Sequence, residues 1–177
     1  MARGTFSHAK IKNVMKGQSK QGPYTIHQPS GVVATVYDAS CKYKEDKVPL
    51  LVIAGENFGR GTTRDWATKG PYLLGVRAIL AVSFSSVYRD NMIKTGLLPI
   101  EIEQQTFDSL TGHEAFEIRL NFEQESNEVD IVLNEGEAIF KGRHRLDNAY
   151  EKKVFNDGGV IRSNLEALFT EDASEKS

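Results

Sequence analysis

The sequence predicts an α/β domain: a parallel βαβαβ core over about residues 48–102, with additional antiparallel strands after it. Three observations predict this. "VPLLVIAG", "RAILAVS" and "LLPIEI" are short apolar runs of strand length. Helix-forming stretches, "TTRDWATK" and "SSVYRDNMIKTG", lie between them, which is the alternation of a parallel sheet. Beyond about residue 104, "EAFEIRLNF" and "EVDIVLNEGEAIFKG" alternate apolar and polar residues, the mark of antiparallel strands.

Taken in order, residues 17–31 are rich in Gly, Pro, Ser and Gln and read as loop. "VVATVYDAS" reads as a short strand running into a helix through Tyr43. The strand "VPLLVIAG" ends at Gly55 and has the composition of one buried on both faces. Thr62 or Thr63 suits the cap of the next helix, with Asp65 in its first turn. Gly70-Pro71 should break that helix, and Pro71 should open a second short one, "PYLLG". Ser85 or Ser86 caps the following helix and Gly96 closes it. Asn134 to Glu137 form a hairpin turn, and the polar tail after Leu168 is expected to fray. This divides the chain into a domain, 1–168, and a tail, 169–177.

A chain of 177 residues suits one substantial domain. A net charge of −2 argues against a protein that grips nucleic acid or anionic lipid by bulk charge. Cys41 is the one cysteine, and one thiol can hold neither a disulfide nor a metal cluster alone. It reads as a small, half-buried residue, and the four histidines have no metal-ligand spacing. No apolar run approaches the roughly 20 residues of a membrane span, and no signal peptide opens the chain, so a cytoplasmic protein is expected.

The densest chemistry is in "GENFGRGTTRDWATKG", Gly55–Gly70. It lies at the C-terminal end of a parallel strand, ahead of a helix, where open α/β sheets bind ligands. Helix-start amides attract anions, glycines admit close approach, and Arg64 offers a planar, doubly donating cation. The glycine spacing is not that of a dinucleotide or P-loop site. Carboxylate and small phosphate both remain open, as does a plain strand-to-helix corner.

The longer run from "GENFGRGTTRDWATKG" through "LLPIEI" strongly resembles the C-terminal swivel domain of the aconitase family. The likeness is nearest to bacterial aconitases, iron-regulatory proteins and methylcitrate-pathway dehydratases. "MARGTF", "HQPSGVVATVYDASCKYK" and "RLDNAYEKKVFNDGGVI" agree in the expected order, so the resemblance covers nearly the whole chain. It implies a swivelling β/β/α domain that closes over a substrate held on a [4Fe–4S] cluster. The implied reaction is reversible dehydration of citrate, isocitrate or a related hydroxy polycarboxylic acid.

By this resemblance Thr63 stands where the family has a serine base, and Thr62 and Arg64 contact a substrate carboxylate. Arg3 receives the same role from "MARGTF". Both family serines are threonines here, which keeps the hydroxyls but adds a methyl beside the substrate. The cluster and its cysteines belong to partner domains, either in the same longer chain or on a separate large subunit. Two other roles are open: RNA binding, as in iron-regulatory proteins, which the near-neutral charge disfavours, and a non-catalytic regulatory domain. Of the remaining residues, Asp65 either anchors Arg64 or favours the helix start, and Trp66 is expected in the core. Arg89 and Asn91 are expected to be structural, and Arg143 to Arg145 to form a solvated basic cluster.

Overall fold

The structure, a computed structural model, describes residues 2–15, 20–61, 64–122, 126–136 and 138–174. A two-stranded hairpin, β1 (Tyr24–His27) and β2 (Val32–Thr35), precedes a six-stranded mixed sheet. That sheet comprises β3 (Leu50–Ala54), β4 (Val76–Ala81), β5 (Leu98–Glu101), β6 (Phe116–Arg119), β7 (Glu128–Leu133) and β8 (Ala138–His144), in the order β3-β4-β5-β8-β7-β6. β3, β4 and β5 run parallel, β8 is antiparallel to β5, and β6, β7 and β8 form the antiparallel half. The predicted parallel core and appended antiparallel strands are therefore both present.

The expected loop over 17–31 holds only in part. Residues 17–19 lie outside the described residues, but Tyr24–His27 are strand, paired from Tyr24↔Thr35 to His27↔Val32. A 3-10 turn, Gln28–Ser30, and left-handed Gly31 reverse the chain between these strands. The β-branched pair Thr25-Ile26 supports a strand despite the flanking prolines. Thr35 then caps α1 (Val36–Glu45), its hydroxyl accepting from the Asp38 amide at 3.0 Å.

β3 is not buried on both faces as its composition suggests. It occupies the sheet edge, and four of its five residues are half-buried. The doubly buried strand is β4, where Ala78 to Ala81 are all buried. One core cluster joins Leu80, Ile93, Leu98, Ile100, Val129, Ile131, Leu146 and Val154 across both sheet halves. A second, around Ile79, Tyr88, Met92 and Leu97, lies under the Gly55 loop, with Phe58 and Ala67 packed on it.

α2 (Trp66–Leu74) corrects a further expectation: Gly70-Pro71 does not break it. Proline lacks the amide that would bond the carbonyl four residues back. Here that carbonyl belongs to Ala67, and it accepts the Tyr88 hydroxyl at 3.2 Å instead. α3 (Ser86–Thr95) starts after Ser85 and ends at left-handed Gly96, as predicted.

Three helices were not foreseen: α4 (Gln104–Ser109), α5 (Ala149–Asn156) and α6 (Val160–Ser174). The backbone thus continues as helix across residue 168 to Ser174, where fraying was expected. The turn between α5 and α6 lies against the end of α3 at backbone distance. A Cβ on Gly96 would fall 2.8 Å from the Gly158 carbonyl carbon.

Candidate functional site

The loop leaving β3 is stitched to the loop leaving β4. The Phe58 amide donates to the Ser83 carbonyl at 2.9 Å, and the Ser85 amide donates to the Phe58 carbonyl at 3.0 Å. The Ser83 hydroxyl accepts from the Asn57 amide at 2.8 Å. Two strand ends of the parallel half therefore share one rim, the position at which an α/β sheet presents ligand-binding groups.

The loop turns tightly over Tyr88 of α3. Asn57 and Gly59 both take positive φ, 52° and 83°. The Tyr88 ring meets Phe58 edge-on with centroids 5.2 Å apart. Burial pushes the Tyr88 hydroxyl up to about 12, so it stays protonated and can donate to Ala67.

Thr62 and Thr63 lie outside the described residues. Arg64 is exposed at the loop's end, and its carbonyl accepts the Ala67 amide at 3.2 Å in the first turn of α2. Asp65, at the N-cap position, holds Lys69 one turn on at 2.5 Å, and that hydrogen bond keeps its carboxyl below the usual range. Trp66 is half-buried and belongs to neither core cluster, contrary to expectation; it is the first residue of α2 and follows exposed Arg64 and Asp65.

The segment that carries Arg3 packs against the same helix at Gly70. Arg3 sits on the 3-10 turn Ala2–Gly4, exposed, with its guanidinium carbon 4.6 Å from the centre of the Tyr37 ring in the first turn of α1. The chain reaches this place because Gly70 has no side chain: a Cβ there would lie 2.3 Å from Thr5 Oγ1. The segments bearing Arg3 and Arg64 thus both meet α2, one at Gly70 and one at its N-terminus.

Arg89 is structural, as expected, and more deeply embedded than its sequence indicates. Only 8% exposed, it binds both carboxylate oxygens of Glu151, with Asp90 at 3.0 Å and Asp147 at 2.9 Å. It ties α3 to the start of α5 beside an open cleft of about 200 Å³ lined by Phe84, Ser86 and Arg145. The predicted solvated cluster at 143–145 separates: Arg143 is exposed, His144 is buried, and Arg145 bonds Glu101 at 2.5 Å. Burial keeps the His144 imidazole below its ordinary value.

Among the described residues, no group of three or more His, Cys, Asp or Glu side chains is placed to hold a metal ion. Cys41 is half-buried on α1. With one cysteine, the residues of this chain do not fit a thiolate-held iron–sulfur cluster. No helix among the described residues is long and apolar enough to cross a membrane.

Comparison with known proteins adds to this geometry. The family model of the aconitase C-terminal domain matches residues 1–105. Aconitate hydratase A of Thermus thermophilus is 40% identical over 173 residues, 93% of this chain and 19% of the relative. Iron-responsive element-binding protein 2 of Xenopus laevis is 37% identical over 165 residues, 91% of this chain and 17% of the relative. The chain thus spans less than a fifth of these relatives' length. The crystal structure of 3-isopropylmalate dehydratase from Methanocaldococcus jannaschii has the same fold, with a TM-score of 0.59 at 23% identity. The match covers 81% of this chain and 84% of that one.

Proposed function

The chain belongs to the aconitase C-terminal domain family, and from that premise we propose that it is the swivel domain or small subunit of a hydro-lyase. Its substrate is citrate, isocitrate or a related hydroxy polycarboxylic acid. The observation that carries this reading is the convergence on α2: the loop before it bears Arg64, and the turn packed on Gly70 bears Arg3. Two guanidiniums carried by segments that both meet α2 suit an acid with several carboxylates.

In this reading Arg64 and Thr62 receive one carboxylate and Arg3 another. Removing a proton beside a carboxylate from a polyanion builds further negative charge, which the guanidiniums oppose. Their field also favours deprotonation of the Thr63 hydroxyl, the assigned base. The remaining active-site groups come from cluster-bearing domains, in the same longer chain or on a separate large subunit. A structural relative of nearly equal chain length supports the second arrangement, and relatives five times longer support the first.

The test uses the complete enzyme with cis-aconitate. Thr63→Ala is expected to lower kcat about 10²- to 10⁴-fold. Arg64→Lys should mainly raise KM, because a lysine cannot bind a carboxylate through two parallel hydrogen bonds. A Thr63→Ala enzyme that turns over as fast as its parent removes the assigned base. Similarity to iron-responsive element-binding protein 2 gives RNA binding a place as second reading, with the net charge of −2 against it. A gel shift with steep salt dependence would favour it.

A further inference from the structure

We infer that Tyr88 is a positioning residue for Arg64, acting through the single residue Ala67. The inference rests on the proposed role of Arg64 as a carboxylate ligand. Ala67 is bonded on both sides of its peptide framework. Its amide donates to the Arg64 carbonyl at 3.2 Å, and its own carbonyl accepts the Tyr88 hydroxyl at 3.2 Å.

That carbonyl is available because Pro71 supplies no helical amide. Without Tyr88 it would lose its hydrogen bond at a half-buried position, and the first turn of α2 would be free to tilt toward another donor. A tilt there moves the Ala67 amide, and with it the backbone that aims the Arg64 side chain.

Tyr88 also grips the loop on the far side of Arg64. Its ring fills the space left by Gly59 and meets Phe58 edge-on. One buried side chain on α3 thus holds residues 58–59 before the Thr62–Arg64 segment and residue 67 after it. Tyr88 is 4% exposed and its hydroxyl stays protonated, so this brace is constant over the physiological pH range.

The ring and the hydroxyl can be separated experimentally. Tyr88→Phe keeps the ring over Gly59 and deletes only the donor to Ala67. In the complete enzyme it should raise KM for cis-aconitate about 3- to 10-fold, the worth of one hydrogen bond, and change kcat less. In an Arg64→Ala background the same change should add nothing to KM, since the side chain it aims is gone.

Thr95→Val is the control for general loosening. Thr95 Oγ1 bonds Thr68 Oγ1 at 2.8 Å and so ties the same two helices without touching Ala67. It should lower the melting temperature and leave KM unchanged. If Thr95→Val raises KM as much as Tyr88→Phe, or if the Tyr88 and Arg64 effects add fully, the inference is overturned. If Arg64→Ala raises KM and Tyr88→Phe does not, the inference fails while the reading of Arg64 stands. If Arg64→Ala itself leaves KM unchanged, the reading of Arg64 fails, and the inference with it.

Discussion

A Cβ on Gly59 would lie 2.0 Å from Cγ of Tyr88. The neighbouring glycine of the same loop, Gly61, has φ of 98° and open space where its Cβ would point. The two positions therefore ask for glycine for different reasons, one for contact as well as conformation and one for conformation alone.

Gly59→Ala should destabilise the domain by more than about 3 kcal/mol, since both ring and backbone must shift. Gly61→Ala should cost only about 1–2 kcal/mol of left-handed strain. Chemical denaturation of the two variants measures the difference. Equal losses would mean that the Tyr88 contact contributes nothing.

Gly70 yields a prediction with a change of sign. Gly70→Ala should displace the turn that carries Arg3, lowering the melting temperature and raising KM. Combined with Thr5→Ala, which removes the atoms at 2.3 and 3.1 Å and keeps Cβ at 3.3 Å, it approaches a helical glycine-to-alanine change once residue 5 gives by a few tenths of an ångström. The double variant should exceed Thr5→Ala alone in stability by about 0.5–1 kcal/mol. Persistent loss in the double variant would remove the proposed close approach.

Tyr88 sets an alkaline limit. Its folded value of about 12 lies above the ordinary 10.0, so the folded state resists ionisation more than the unfolded chain does. The contribution is intact below about pH 10 and is lost as pH rises from there toward 12, on the order of 2 kcal/mol. Tyr88→Phe lacks this titration. Between about pH 9 and about pH 11.5 its unfolding free energy should fall less than the parent's. Parallel curves would contradict the buried hydroxyl.

Arg89→Met should release α5. It removes the guanidinium from Glu151, Asp147 and Asp90, of which Glu151 is the most buried. The expected loss is about 2–4 kcal/mol, below that of a fully buried pair because two of the carboxylates are partly solvated. Amide exchange should quicken first over Ala149–Asn156. Unchanged exchange there, with stability lost elsewhere, would place the role of Arg89 outside this link.

The parallel core was legible because each strand is a local apolar run and α3 has local start and stop residues. Gly96 and Ser85 fall where the sequence puts them. α2 did not follow its local signals, since Asp65 rather than Thr62 or Thr63 holds its N-cap position and it runs through Pro71 to its C-cap, Gly75. Sheet order is non-local, which is why β3 reads as interior and lies at the edge. Pro71 is a helix breaker in isolation, and its remedy, Tyr88, belongs to the next helix. The placement of Arg3 against Tyr37 and of Thr5 against Gly70 likewise depends on segments distant in sequence. α5 was different: its signal was present locally. Asn148 followed by Glu151 is a capping-box spacing, and the Asn148 side chain does accept the Glu151 amide at 2.9 Å.

The exchange of an amide for a hydroxyl at Ala67 also has an evolutionary consequence. A homologue that replaces Pro71 with an ordinary residue regains a helical donor for that carbonyl and relieves Tyr88 of half its task. A homologue that loses the tyrosine hydroxyl first leaves the carbonyl without its donor. The two positions should therefore drift as a linked pair, with the proline the easier one to lose first.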